Sequence, residues 1–166
     1  SSSNTAIIHA YEMIKEGIIK CAIVGGTDAS LTTSMLHAWD SLGVLSYTGC
    51  RPFSVDRDGI VLGEGSAVFF MENLDDAILR GAHIYAEIVN YSLTADAESL
   101  SRPSEKGIIK ALEKALMNVD LKKVDYINAH GTGTKLNDIT EISAITKVFG
   151  PLSSNLFISS TPFIIL

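Results

Sequence analysis

The amino-acid sequence predicts an α/β fold in which central sheets are covered by helices. Stretches with the 3.6-residue apolar period of helices alternate along the chain with short runs rich in β-branched and aromatic residues. Glycine or proline follows several of these stretches, as is typical where helices and strands end. The 166 residues are 46% hydrophobic and 19% charged, the balance of a globular domain with a core.

The first predicted elements are a helix over residues 4–16 and a strand after it. Ile7, Ala10 and Ile14 have helical spacing, and Gly17 can end the helix in the left-handed conformation. The uninterrupted apolar run at 21–24 is typical of a strand buried on both faces. A second helix is predicted over residues 32–40.

The middle of the chain predicts two strands with a short helix between them. The runs at 67–71 and 85–91 are rich in β-branched and aromatic residues, which favour strands. Asn73 is suited to cap the helix between them, with acidic residues in its first turn and Gly81 after its end.

The last third of the chain predicts a helix, a strand, a helix and a strand. Ser104 can cap the first helix, whose apolar residues keep the helical period as far as Val119. The elements that follow are a strand over 126–128, a helix with apolar positions from 139 to 149, and a strand over 156–159. We expect residues 1–166 to be part of one domain whose two ends lie outside this chain.

Composition and charge exclude several classes of protein. The longest apolar runs are far shorter than the roughly 20 residues needed to cross a bilayer, so no membrane association is expected. The net charge of −6 and the scattered basic residues disfavour nucleic acid as a partner. Cys21 and Cys50 form neither a disulfide framework nor a zinc-binding spacing, so no metal is expected. The first residues lack a secretory signal, which predicts a cytoplasmic protein.

Four segments in this order resemble the β-ketoacyl synthases, condensing enzymes of the thiolase-like superfamily. They are AIVGGTDAS at 22–30, RPFS at 51–54, DRDGIVLGEG at 56–65 and NAHGTGT at 128–134. The chain is most similar to the elongating synthases of dissociated, bacterial-type fatty-acid systems. The resemblance implies a thiolase-like fold of α-β-α-β-α layers, of which this chain covers the middle portion.

The resemblance implies that His130 is a catalytic residue. In the implied reaction, a malonyl-carrier-protein thioester loses carbon dioxide and condenses with an enzyme-bound acyl thioester, in fatty-acid or polyketide biosynthesis. His130 would donate a hydrogen bond to the malonyl thioester carbonyl, and its place after a short strand also suits a site at a strand end. The nucleophilic cysteine is expected directly before Ser1. A lysine and a second histidine are expected after Thr161, where the sequence is PFIIL at 162–166.

Four further residues near His130 are candidates for the site. The resemblance implies that Thr132 and Thr134 bind the pantetheine arm of the substrate, although threonines in a glycine-rich turn can also satisfy local amides. Asp138 and Glu141 are three residues apart and would share a helix face near its N-terminus, where acidic residues can cap the helix. The resemblance implies instead that they lie beside the site and support it. Residues 56–65, which include Arg57 and two acidic neighbours, are interpreted as a structural loop held by an ion pair.

The resemblance also implies the partners of the complete protein. An acyl carrier protein would deliver the substrates on its phosphopantetheine, no other cofactor is expected, and the protein would form a homodimer. The alternative function is that of a non-catalytic chain-length partner in a ketosynthase heterodimer, and a thiolase-type acyltransferase that uses coenzyme A is a weaker third hypothesis. His130 favours a catalytic protein, and the residue before Ser1 would decide.

Overall fold

The computed structural model of the protein describes residues 2–97, 99 and 102–160, which fall into two compact units. One unit contains residues 2–29 and 64–91, and the other contains residues 30–63 and the described part of 92–160. Each unit combines helices with a pair of strands, so the α/β prediction is confirmed. The expectation about residues 162–166 lies outside the described residues.

The first unit packs a helix against a two-stranded antiparallel sheet. Its elements are α1 (Ser2–Lys15), β1 (Cys21–Asp28), β2 (Gly65–Glu72) and α3 (Leu74–Leu79). Gly26 lets α1 approach the sheet closely, because a Cβ atom there would lie 1.8 Å from Ser3 Oγ. Asn73 caps α3 by accepting a hydrogen bond from the backbone N–H of Asp75, which confirms that helix and its cap.

The prediction that the first strand is buried on both faces is wrong for the described chain. Val24 is only 8% exposed, whereas its neighbour Ile23 is 76% exposed. Successive side chains of a strand point to opposite faces, so one face of β1 is covered and the other is open. On the open face, Ile23 lies opposite Phe70 of β2, which is 56% exposed.

The predicted strand at 85–91 is also wrong. Residues 82–97, all of them described, form neither helix nor strand. Side chains hold this segment instead: Tyr11 Oη donates a hydrogen bond to Val89 O at 3.4 Å, and the rings of Tyr11 and Tyr91 meet edge to face with centroids 5.5 Å apart. A run of β-formers becomes a strand only where a neighbouring strand supplies the hydrogen-bond ladder, and none pairs with residues 85–91 in the described part of the chain.

The second unit contains a parallel strand pair joined by a crossover helix. Its elements are α2 (Thr33–Ser41), α4 (Glu105–Ala115), a 3₁₀ turn (Leu121–Lys123), β3 (Tyr126–Ala129), α5 (Lys135–Phe149), a second 3₁₀ turn (Gly150–Asn155) and β4 (Phe157–Ser160). The strands pair in parallel from Tyr126 opposite Phe157 to Ala129 opposite Ser160. The four elements predicted after residue 104 are therefore confirmed.

The second unit's helices differ from the prediction in detail. Helix α4 ends at Ala115 and not near Val119, because Asn118 takes the left-handed conformation with φ of 64° and so closes the helix. On α5, Ile145 and Phe149 are buried as predicted, whereas Ile139 is 64% exposed. The buried face of α5 near its N-terminus carries polar side chains, and these form part of the candidate site.

Within the described residues, no helix is both long and apolar enough to cross a bilayer.

Candidate active site

His130 lies at the end of strand β3, as the sequence predicted. Residues 130–134, here named the histidine loop, connect β3 directly to α5, whose N-cap is Thr134. The side chain of His130 is exposed, whereas Gly131, Thr132 and Gly133 are buried. The loop therefore presents one imidazole at the carboxyl end of a parallel strand, where α/β proteins commonly place their sites.

Gly131 and Gly133 fit where no other residue would. Both have positive φ, 46° and 77°, in the region that disfavours side chains. A Cβ atom on Gly131 would lie 2.4 Å from Ser160 Cβ and 2.9 Å from Phe53 Cε2, and one on Gly133 would lie 2.5 Å from Gly59 O. The histidine loop is thus packed tightly against β4 and against residues 51–59, here named the partner loop.

Glu141 holds the backbone of His130. Its Oε1 accepts a hydrogen bond from His130 N at 2.7 Å, and its Oε2 accepts one from Gly131 N at 2.9 Å. Glu141 is only 9% exposed, so these bonds to a charged acceptor are made away from water and are correspondingly strong. The carboxylate fixes the position from which the imidazole projects.

Asp138 joins the histidine loop to the partner loop, with one carboxylate oxygen on each side. Its Oδ1 accepts a hydrogen bond from Gly133 N at 3.2 Å, and its Oδ2 accepts one from Phe53 N at 2.8 Å. Arg57 Nε lies 3.4 Å from Oδ2 and supplies a positive charge to a carboxylate that is only 2% exposed. Asp138 and Glu141 do share a helix face, as predicted, and they bind amides of the loops rather than simply capping the helix.

Phe53 and Arg57 also belong to this site, although no sequence pattern indicated these roles. Phe53 has φ of 62°, an uncommon conformation for an aromatic residue, and its ring edge lies against Gly131. The loop predicted to be held by an ion pair does make ion pairs: Asp56 and Asp58 pair with Arg51 at 3.2 and 3.3 Å, and Arg57 pairs with Asp138 at 3.4 Å. The glycine-rich context of Arg57 predicted a structural loop but could not reveal a partner 81 positions further along the chain.

The hydroxyls of Thr132 and Thr134 are 2.9 Å apart and form a linked pair. Thr132 Oγ1 also accepts a hydrogen bond from Thr134 N at 3.3 Å, and Thr134 Oγ1 accepts one from Asn137 N at 3.3 Å. The two hydroxyls carry two protons and use one between them, which leaves one proton for a ligand. Thr132 is 6% exposed whereas Thr134 is half-buried, so Thr134 is the better placed to donate it.

Neither cysteine has the setting of an activated nucleophile. Cys21 opens strand β1, and Cys50 lies in the loop before Pro52, so neither is at a helix N-terminus. Burial raises the pKa of the Cys50 thiol above its ordinary value, and the negative charge of Asp138 raises this pKa further. Cys50 is therefore held mainly as the neutral thiol. No group of three or more metal-binding side chains is present among the described residues.

Two family models together match most of the chain. The beta-ketoacyl synthase N-terminal domain matches residues 1–77, and the beta-ketoacyl synthase C-terminal domain matches residues 85–162. The chain belongs to the β-ketoacyl synthase family. This finding confirms the resemblance carried by the four motifs.

Curated relatives of this synthase-family chain match it along nearly its whole length. Nodulation protein E of Rhizobium meliloti is 43% identical over 163 residues, which are 97% of this chain and 41% of that protein. The 3-oxoacyl-[acyl-carrier-protein] synthase 2 of Synechocystis sp. is 39% identical over 171 residues, with the same two coverages. The chain thus spans about 41% of the length of these relatives.

Solved structures of ketosynthases share the fold. The ishigamide ketosynthase/chain length factor superposes with a TM-score of 0.85 at 37% identity, over 90% of this chain and 38% of that one. The ketosynthase from module 6 of the bacillaene synthase from Bacillus subtilis 168 gives 0.91 at 28% identity, over 96% of this chain and 30% of that one. The predicted thiolase-like α/β fold is confirmed.

Proposed function

We propose that the protein containing this chain catalyses the decarboxylative condensation of a malonyl-carrier-protein thioester with an enzyme-bound acyl thioester. The observation that carries the proposal is His130 at the end of β3, with its backbone N–H bound by the buried carboxylate of Glu141. Family membership supports this reaction, since relatives of this chain include a protein named 3-oxoacyl-[acyl-carrier-protein] synthase 2.

His130 would act in the step that releases carbon dioxide. The bond between the carboxylate carbon and the α-carbon of the malonyl group breaks, and its electron pair moves into the thioester as an enolate. A neutral imidazole that donates a hydrogen bond to the thioester oxygen stabilises this negative charge as it forms. The α-carbon then attacks the acyl thioester carbonyl, a carbon-carbon bond forms, and the cysteine thiolate leaves.

Thr134 would help to hold the substrate's pantetheine arm. The threonine pair has one hydroxyl proton to spare, and Thr134 is its more exposed member. A pantetheine amide carbonyl is a suitable acceptor for this proton. Thr132 would then act mainly by orienting Thr134. The pantetheine belongs to the substrate, so the proposal requires no other cofactor.

The proposed partners are an acyl carrier protein and a second copy of the protein, in the cytoplasm. One similar structure is described as a type II PKS acyl-carrier protein in complex with its ketosynthase bound to the hexaketide, and it superposes with a TM-score of 0.85 at 31% identity. We expect light scattering of the full-length protein to give the mass of a dimer. A monodisperse monomer would contradict the dimer.

The experiment that tests the proposed reaction uses the full-length protein, an acyl primer and radiolabelled malonyl-carrier protein. We expect the wild type to form the β-ketoacyl product and His130→Ala to lose nearly all decarboxylation. His37→Ala is the matched control, because His37 is an exposed histidine of α2 and should leave the rate unchanged. Equal rates for His130→Ala and wild type would refute the role of His130.

A second candidate function is that of a chain-length partner in a ketosynthase heterodimer. It is supported by the likeness to the ishigamide ketosynthase/chain length factor. A chain-length partner would be inactive alone, would form a heterodimer with an active ketosynthase, and would tolerate His130→Ala. Activity of the purified protein by itself would exclude this candidate.

A further inference from the structure

The positive charge of Arg57 lies where it does not stabilise the nearest helix, α5. Its guanidinium lies at the N-terminus of α5, donating hydrogen bonds to Thr134 O at 3.4 Å and Lys135 O at 3.3 Å. The N-terminus of a helix carries partial positive charge, so a cation there is unfavourable for the helix itself. The side chain is nevertheless only 13% exposed, and its burial therefore needs another explanation.

The contacts of Arg57 supply that explanation, because they join two loops distant in sequence. Within the partner loop, its Nη1 donates a hydrogen bond to Ser54 O at 2.7 Å. On the side of helix α5, its Nε lies 3.4 Å from Asp138 Oδ2, the oxygen that also accepts a hydrogen bond from Phe53 N. The other oxygen of Asp138 binds Gly133 N of the histidine loop. Arg57 thus compensates the buried charge through which the two loops are connected.

We propose that Arg57 is a positioning residue, which acts through Asp138 to hold the histidine loop against the partner loop and so fixes the direction of His130. The inference rests on the proposed condensing function. Without Arg57, a carboxylate that is 2% exposed would lack the cation observed beside it, and water or a rearranged loop would have to replace that cation. The loops would then separate, and His130 would lose its fixed direction.

Arg51 provides a matched control in the same loop. It is also an arginine in ion pairs, but its guanidinium binds Thr48, Asp56 and Asp58, all of them close in sequence. Replacing either arginine by glutamine removes one positive charge and one set of ion pairs. Only Arg57→Gln removes the cation from Asp138. A general effect of charge or of loop stability would appear in both variants.

The test measures decarboxylation of malonyl-carrier protein and amide hydrogen exchange in full-length wild type, Arg57→Gln and Arg51→Gln. We expect Arg57→Gln to lower kcat about 10- to 100-fold with KM within about threefold of wild type, since a displaced catalytic group weakens the transition state more than substrate binding. The amides of Phe53 and Gly133 should exchange faster in this variant. Arg51→Gln should match wild type in both measurements.

Arg57→Lys keeps the positive charge but cannot make the forked contacts of a guanidinium, so its kcat should lie between those of wild type and Arg57→Gln. If Arg57→Gln does not fold, Arg57→Lys provides the same test of the role of Arg57. Faster decarboxylation on adding guanidinium ion to Arg57→Gln, and not to Arg51→Gln, would further support the proposal.

The outcomes separate the two proposals. An active wild type with equal kcat in Arg57→Gln and Arg51→Gln would overturn the role of Arg57, as would unchanged exchange at Gly133. An inactive wild type would overturn the proposed function, and the exchange measurement would still decide whether Arg57 orders the histidine loop. Equal losses of activity in both arginine variants would also count against a specific role.

Discussion

Replacing Glu141 by glutamine tests whether the buried carboxylate positions His130. Glutamine has nearly the same shape but only one oxygen, whereas Glu141 accepts hydrogen bonds on both. Oε1 binds His130 N, and Oε2 binds Gly131 N and the side-chain amide of Asn137 at 3.3 Å. The glutamine oxygen should take the Oε2 position because it then keeps two bonds. The N–H of His130 would face the new NH₂ group and lose its acceptor.

The size of the effect follows from the bonds that are lost. A hydrogen bond to a charged acceptor contributes about 1.5–3 kcal/mol, and leaving a buried N–H unsatisfied costs about 1–3 kcal/mol. We therefore expect the histidine loop to be less stable in its observed position by about 2–3 kcal/mol. At about 1.4 kcal/mol for each factor of ten, this corresponds to a roughly 30- to 150-fold change in the equilibrium that holds the loop in place.

The assay is the decarboxylation of malonyl-carrier protein by the full-length protein, with His130 amide exchange as a structural measure. Glu113→Gln is the control, since Glu113 is an exposed carboxylate of α4 and should change the rate little. We expect Glu141→Gln to accelerate His130 exchange and to lower kcat. The reasoning is refuted if Glu141→Gln keeps wild-type exchange at His130 and a decarboxylation rate within about twofold of wild type.

Three further predictions concern other residues of the site. Thr134→Val should raise KM for malonyl-carrier protein and remove a helix cap that contributes about 1 kcal/mol, whereas Thr134→Ser should restore both KM and thermal stability. Gly131→Ala should lower the free energy of unfolding by at least about 2 kcal/mol, because the new Cβ adds a clash to positive-φ strain. Gly43→Ala is the control: its φ is 65° and no atom lies within 4 Å of the new Cβ, so it should cost only the strain, about 1 kcal/mol. Equal losses of the two variants in urea unfolding would contradict the clash at Gly131. The rate of Cys50 alkylation, measured by peptide mass spectrometry, should rise with pH around a midpoint above that of an ordinary thiol, because burial and the Asp138 carboxylate raise the pKa of Cys50. Asp138→Asn should lower this midpoint. An unchanged midpoint would exclude the contribution of Asp138.

Local sequence patterns were sufficient to predict most elements of the fold. The predicted caps at Asn73 and Ser104 lie where the structure places helix starts, because the cap bond is made within three residues and depends little on the rest of the chain. The strand at 85–91 failed for the opposite reason. Its composition is local, but a strand exists only through hydrogen bonds to another strand, and composition does not identify that partner.

The candidate site divides in the same way. His130 and the threonines belong to one motif, and the spacing of Asp138 and Glu141 places both carboxylates on one face of α5. Both carboxylates accept hydrogen bonds from histidine-loop amides that lie no more than 11 residues away in the sequence. Contacts over so short a distance can be predicted from the geometry of the helix. The bond from Phe53 N spans 85 residues, and no local pattern indicates it.

The buried charges explain why the site needs that distant segment. Asp138 and Glu141 are 2% and 9% exposed, and Asn137 Nδ2 lies 3.3 Å from an oxygen of each, so two carboxylates share one small polar cluster. Like charges in a buried setting repel, and hydrogen bonds from the histidine loop offset part of that cost without neutralising it. Arg57 brings a positive charge from the partner loop. A chain that carries the histidine motif and α5 but lacks this arginine should therefore leave its carboxylate pair undercompensated, and its histidine loop less ordered.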